Sequence, residues 1–306
     1  ADTQPPTTPT GLHTTSVAAT SVSLAWNAAT DNITVTGYTV YRNGAPITTT
    51  SAGTLVYTDT TPTAGTTYTY TVDAFDGAGN HSAPSPGLAV TTPARSPTFV
   101  QGAADSPGTR TTSATITMKA PVAQGDLLVG WFAQYDAPGQ VGVSDPVNGT
   151  WTRSASEHFT NGGGDLALFY VQNSRAAPAG LTITLSAGAA TYLPSAAAEF
   201  SGVATTGALD QTAVGEGVGT AADSTPTSAT PAGELVVGAL ITGGQPLTVT
   251  PGSSDGVPLT MEVYNGSRSA DVAAVLSGAA GRQDAPFTLA TSMDWYAAVA
   301  TFRPGS

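Results

Sequence analysis

Chemistry in this chain would have to come from a short roster of side chains. Gly252-Ser253-Ser254-Asp255-Gly256 has the Gly-x-Ser-x-Gly spacing of a nucleophile elbow. That chemistry needs a helix after the serine and a histidine later in the chain. No helical pattern follows, and His13, His81 and His158 all lie upstream, so the stretch reads as a turn. Gly215-Glu216-Gly217-Val218-Gly219 lacks the following helix that a phosphate cradle requires, and reads as a flexible loop. His158 beside Glu157 cannot build a zinc site alone, and the chain has no cysteine. No cofactor is expected. A structural calcium, which needs only Asp and backbone oxygens, is the one ion left open, by analogy with jelly-roll modules.

Aromatic residues next to acids and amides remain. The C–H faces of sugar rings stack on Trp and Tyr, while their hydroxyls need Asp, Asn or Gln beside them. Gln134, Tyr135 and Asp136 end an apolar run, and Tyr135 with Asp136 is the preferred exposed pair. Asp145, Asn148 and Trp151 form a second set around a turn. The alternative for Trp131, Trp151 and Trp295 is packing in a core. No catalytic residue is assigned.

Strands must position these groups. Ser21–Trp26 alternates, with Val22, Leu24 and Trp26 on one face. Gly37–Arg42 is a second strand, closed by the hairpin pair Asn43-Gly44. Thr67–Phe75 carries Tyr68, Tyr70, Val72 and Ala74 at period two. Residues 98–306 hold no convincing amphipathic helix and many short Thr/Val/Ala runs bounded by Gly, Pro, Asn and Asp. Two of these runs repeat. Gly125-Asp126-Leu127-Leu128-Val129-Gly130 returns as Gly233-Glu234-Leu235-Val236-Val237-Gly238. Each is followed by a small-residue strand ending in phenylalanine, Ala196–Phe200 and Ala297–Phe302. Two pseudo-symmetric halves with buried central strands are predicted.

Composition narrows the partners. The chain has 306 residues, 21 Asp+Glu against 9 Lys+Arg, and a formal net charge of −12. Such a surface repels phosphate backbones and anionic membranes, so neither nucleic acid nor membrane is an expected partner. No apolar run reaches the roughly 18 residues of a membrane helix. The Pro/Thr-rich start, with no basic or apolar leader, implies a mature or trimmed N-terminus and a secreted, extracellular protein.

Residues 9–93 resemble a fibronectin type III domain. The resemblance rests on Pro9, the Ser-x-Leu-x-Trp strand ending at Trp26, Gly37–Arg42, and Gly65-Thr66-Thr67-Tyr68-x-Tyr70-x-Val72-x-Ala74, with Tyr68 at the family's tyrosine corner. Asp76-Gly77-Ala78-Gly79-Asn80-x-Ser82 resembles the version used as a spacer in secreted bacterial polysaccharide-degrading enzymes. Residues 98–306 resemble accessory sandwich modules of such proteins. The expected fold class is therefore all-β: a linker at 1–8, the type III sandwich at 9–93, a linker at 94–97, and a larger jelly-roll-like β-sandwich at 98–306. The expected function is accessory and leans away from catalysis. The larger sandwich would bind a neutral polysaccharide or other glycan, as a monomer tethered to a catalytic domain. A structural or adhesive surface protein and a polysaccharide hydrolase or lyase are the alternatives.

Overall fold

The structure, a computed structural model, describes residues 2–105, 107–134, 141–158, 165–242, 248–263, 270–277 and 280–306. Among them there are strands and turns and no helix. The chain divides into two compact units, one up to Arg95 and one of Ser96–Gly305.

The first unit has seven strands: β1 (Thr10–Ala18), β2 (Ser21–Asn27), β3 (Val35–Arg42), β4 (Ala45–Ser51), β5 (Val56–Asp59), β6 (Thr67–Asp76) and β7 (Leu88–Thr91). They form two sheets, β1-β2-β5 and β4-β3-β6-β7. Period-two alternation turns Val22, Leu24 and Trp26 of one sheet toward Tyr38, Val40, Tyr70, Val72, Ala74 and Val90 of the other. Trp26 meets Tyr38 edge-on at 5.7 Å. Asn43 and Gly44 both take positive φ, 51° and 80°, as a type I′ hairpin requires. Tyr68 Oη accepts the Thr63 N–H at 2.9 Å, which is the tyrosine-corner contact.

The second unit builds a sandwich twice. The first half contains β8 (Thr98–Asp105), β9 (Thr111–Met118), β10 (Leu127–Gln134), β11 (Gly142–Asp145), β12 (Gly149–Thr150), β13 (Thr152–His158), β14 (Asp165–Val171), β15 (Leu181–Thr191) and β16 (Ser195–Ser201). The second contains β17 (Leu209–Asp223), β18 (Ala229–Thr230), β19 (Leu235–Thr242), β20 (Val249–Pro251), β21 (Ser253–Ser254), β22 (Val257–Pro258), β23 (Thr260–Val263), β24 (Ala270–Leu276), β25 (Gly281–Arg282) and β26 (Pro286–Phe302). The inner sheets have matching orders, β13-β14-β10-β16-β8 and β23-β24-β19-β26-β17, and the first half adds an outer sheet β12-β11-β15-β9. In the second half, the start of β26 pairs with β20 and with the end of β17, doing the work of that outer sheet.

The repeated motif sits at the centre of each inner sheet. Leu127 pairs with Phe200 and Leu235 with Phe302. Gly125 donates its N–H to the Ser174 carbonyl and Gly233 to that of Ser277, at 2.9 and 3.0 Å. β10 and β19 are buried along their whole length because each is covered on both faces. Leu127, Val129, Trp131 and Phe200 pack with Leu235, Val237, Ile241 and Phe302 in one cluster between the inner sheets. Leu128 and Phe132 pack on the other side with Ile116, Ile183 and Leu185. Val236 and Leu240 pack with Phe287 and Leu289.

One expected loop is a strand. Gly215–Gly219 lies within β17 and pairs with β26. Two of its three glycines are there for space. A Cβ at Gly217 would lie 2.6 Å from the Trp295 ring, and one at Gly215 would lie 2.4 Å from the Asp223 carbonyl oxygen. Reading glycine as flexibility missed its second use, close approach within a sheet.

Candidate functional site

Four of the residues expected to bind sugar, Gln134, Asp145, Asn148 and Trp151, are among the described residues. Tyr135 and Asp136 lie outside the described residues. Gln134, the last residue of β10, is fully buried opposite Asp165. Asp145 turns inward as the hub of a turn. Its Oδ1 accepts the N–H groups of Val147 and Asn148 at 2.8 and 2.7 Å, and its Oδ2 accepts Asn148 Nδ2 at 3.0 Å and Trp151 Nε1 at 2.7 Å. Trp151 is 2% exposed and stands edge-on to Phe132 at 6.0 Å. A carboxylate with four donors and an indole in the core have nothing left for a sugar. The second set therefore holds a turn together and is no stacking platform. Trp131 is also fully buried, and Trp295 is half-buried against the second half's core.

A cleft of about 270 Å³ opens at the edge of the two inner sheets of the larger unit. Its apolar wall is Phe99, Phe200, Leu235 and Ala274. The two phenylalanine rings meet edge-on at 5.7 Å. Its polar groups are Thr98, Thr260 and Glu262. Thr98 is held by a hydroxyl contact of 2.8 Å to Ser201. Glu262 is half-buried, and this burial pushes its carboxyl above the ordinary range. A β-bulge between Met261 and Val263 breaks the alternation of β23, so Val263 reaches the cluster between the inner sheets while Glu262 beside it lines the cleft. Gly102 on β8 makes the approach possible, since a Cβ there would lie 2.3 Å from Val263 Cγ2. The cleft resembles a small-ligand site in kind: mostly apolar, placed between repeated halves, with few polar groups. Among the described residues its lining holds one carboxyl, whereas glycoside hydrolysis by the usual route uses two facing each other. Nothing local in Thr260-Met261-Glu262-Val263 marks this acid, because the cleft exists only once β8 and β23 come together.

Two other acidic groupings are structural in character. Asp126 and Glu199, both buried, hydrogen-bond through their carboxyls. Burial first, and then the Glu199 contact, push Asp126 up to about 6. Glu199 is fixed by Gln101 Nε2 at 2.6 Å and the Ala123 N–H at 3.1 Å. In the small unit, Asp2, Asp31 and Asp76 bring carboxylate oxygens within 4.8 Å of one another. Oxygen donors of this kind suit a hard cation such as calcium, which takes about 6–8 of them. Amide donors already offset part of this charge. Asn80 Nδ2 and the Ala78 and Asn80 N–H groups bond Asp76, and the Gln4 N–H bonds Asp2.

Residues 7–91 match the family model described as Fibronectin type III domain. This segment is a fibronectin type III domain. The chain is also similar to parts of much longer proteins. It is 57% identical over 91 residues to Chitinase Chi52 of Paenibacillus xylanexedens, covering 30% of this chain and 17% of that one. It is 43% identical over 152 residues to Chitinase A1 of Niallia circulans, covering 49% and 20%. Exoglucanase B of Cellulomonas fimi is 42% identical over 143 residues, covering 47% and 12%. The chain thus spans a fifth or less of the length of these relatives.

Proposed function

We infer that this chain is a non-catalytic accessory region of a secreted bacterial protein that degrades polysaccharide. The larger unit holds a neutral polysaccharide and the fibronectin type III domain serves as spacer. The cleft of Phe99, Phe200, Thr98, Thr260 and Glu262 carries this reading. It offers aromatic carbon to a sugar's C–H face, and hydroxyl and carboxyl partners to its hydroxyls. Its single carboxyl favours binding over hydrolysis. The chitinase and exoglucanase relatives supply the context, and the net charge of −12 favours a neutral polymer over a phosphate-bearing one.

Each stacked ring contributes about 1 kcal/mol, so micromolar or weaker affinity is expected. Tethering to an enzyme makes such affinity useful by raising the local concentration. Calorimetry of the whole chain with chitin, cellulose, xylan, mannan and galactan oligomers tests this. Binding that Phe99→Ala and Glu262→Gln both weaken supports it. Binding to none of the oligomers overturns it, and reducing-sugar release overturns the non-catalytic assignment.

A further inference from the structure

The fibronectin type III domain carries a pocket of its own. Alternation along β3 and β6 buries Tyr38, Val40, Tyr70, Val72 and Ala74, which leaves Tyr41, Thr71 and Asp73 on the opposite face of the sheet. Tyr41 pairs directly with Thr71, and Thr39 with Asp73. A cavity of about 220 Å³ lies there, lined by Tyr41, Gly44, Thr71, Asp73 and Pro84.

An aspartate on the outer face of a sheet is ordinarily solvated. Asp73 is only 5% exposed. Tyr41 Oη donates to its Oδ2 at 2.8 Å, and His81 Nδ1 stands 3.1 Å from the same oxygen. Oδ1 is buried and accepts no hydrogen bond. Two partners thus fix the carboxylate's orientation through one oxygen, while the other has none. A buried anionic oxygen without a donor costs free energy that a donor from a ligand would recover.

A segment anchored at two points on β6 forms one wall of the pocket. Ser82 and Ser85 dock on β6 through their N–H groups, to the Ala74 and Val72 carbonyls at 2.9 and 2.8 Å. Their hydroxyls accept the Ala74 and Val72 N–H groups at 3.0 and 3.1 Å. Ala83 and Pro84 arch between these two anchors. Pro84, which has no N–H to tie to the strand, lines the pocket from this arch. On the other side, Gly44 leaves the rim open, since a Cβ there would meet nothing within 4 Å.

We propose that this pocket binds a single neutral pyranose ring. Its C–H face lies between the Tyr41 ring and Pro84, one of its hydroxyls donates to Asp73 Oδ1, and the Thr71 hydroxyl takes a second. The type III domain is then a second ligand-binding element as well as a spacer. The site shares no residue with the cleft around Glu262, so the two stand or fall separately.

An NMR titration of the whole chain with glucose, with N-acetylglucosamine and, as a cationic control, with ethanolamine tests it. The expected result is saturable movement of the Gly44, Thr71 and Asp73 amide signals with at least one sugar. Asp73→Asn, which keeps size and shape, weakens that binding about tenfold. Tyr41→Phe, which keeps the ring, weakens it less than Tyr41→Ala does. Glu262→Gln leaves it unchanged. Unmoved signals with both sugars, a response to ethanolamine alone, or unaltered sugar affinity in a folded Asp73→Asn chain would each overturn the proposal.

Discussion

Trp151 donates its indole N–H to Asp145 Oδ2 at 2.7 Å, from a position only 2% exposed. The bond explains why a turn residue and a tryptophan six positions later fall inside the fold. The strand pair β11–β12 closes on Asp145, and the indole fills the space beneath Val143 and Phe132. Asp145→Ala removes the acceptor of a buried N–H together with two backbone N–H groups. A loss of about 2–3 kcal/mol in the larger unit is expected, measured by urea unfolding followed through tryptophan emission. If the loss is within about 0.5 kcal/mol, the level of an ordinary surface change, the hub role assigned to Asp145 is wrong.

The Asp126–Glu199 pair sets a pH dependence. Asp126 is pushed up to about 6 in the fold, against roughly 3.9 when unfolded. Between these values the folded unit holds a proton that the unfolded chain has lost. The larger unit should therefore be more stable near pH 4 than near pH 7, with the decline between the two. The decline should be on the order of 1–3 kcal/mol. Asp126→Asn, neutral throughout, should shrink it, and the remainder belongs to Asp223, which burial and then the Asp284 charge also push up to about 6. A stability that rises over this interval in the parent chain would contradict the assignment.

The small unit should respond in the opposite sense. Burial alone would raise Asp59, but the Thr61 and Tyr70 hydrogen bonds and the Arg42 charge overcome it and hold the carboxyl below its ordinary value. Its Oδ2 accepts Arg42 Nη1 at 2.8 Å and Tyr70 Oη at 3.0 Å. A depressed carboxyl stabilises the fold above its unfolded pKa and loses that contribution as pH falls through the folded one. The type III domain should thus weaken on acidification below about pH 4. Asp59→Ala removes the acceptor of the buried Tyr70 hydroxyl and of the part-exposed Arg42 and should cost about 1–3 kcal/mol. Separate melting transitions, followed across pH by calorimetry, would show the two trends crossing.

Much of this architecture was legible in the chain. The alternation around Trp26 and the Asn43-Gly44 pair carry the small sheet. The Gly-Asp-Leu-Leu-Val-Gly repeat marks both central strands. The repeat was legible because a strand covered on both faces must be apolar at every position, which is a local signal. Phe99, Thr260 and Glu262 were illegible for the opposite reason. The cleft they line is made by two strands far apart in sequence, and the bulge that sets Glu262 there shows only in the pairing of β23 with β24. Trp151 misled because an indole after a polar turn has the same local pattern whether it points out to a ligand or in to Asp145. The glycines of β17 misled because only the folded neighbours show that Gly217 makes room for Trp295 and Gly215 for the Asp223 carbonyl.

The repeat's closing glycines carry a further expectation. A Cβ at Gly130 would lie 2.6 Å from the Ala196 carbonyl oxygen and 2.8 Å from the Phe132 ring, and one at Gly238 would lie 2.5 Å from Ala285 Cβ. Both positions lie in fully buried strands, where neighbours yield little. Gly130→Ala and Gly238→Ala should each destabilise the larger unit by about 1–3 kcal/mol through overpacking. The type III transition should stay unmoved in the same scans. Neutral effects at both sites would mean that the inner sheets are looser than the register implies.

Gly102 links packing to the cleft. Its missing side chain lets β8 run close to β23, with Val263 Cγ2 only 2.3 Å and the Ala197 carbonyl oxygen 3.1 Å from where a Cβ would stand. Gly102→Ala must push β23 away from β8 or twist Val263 off its rotamer. Either movement carries Glu262 and Thr260, which share β23 with Val263, out of place relative to Thr98 and Phe99 on β8. The expected outcome is a loss of about 1–3 kcal/mol in stability together with at least tenfold weaker binding of whichever oligomer the cleft takes. Val263→Ala in the Gly102→Ala background makes room for the added methyl and should restore much of the binding even though the core stays weakened. Calorimetric titration of the single and double variants separates the two effects. Affinity that follows stability in every variant, with no recovery in the double one, would place the binding residues somewhere other than between β8 and β23.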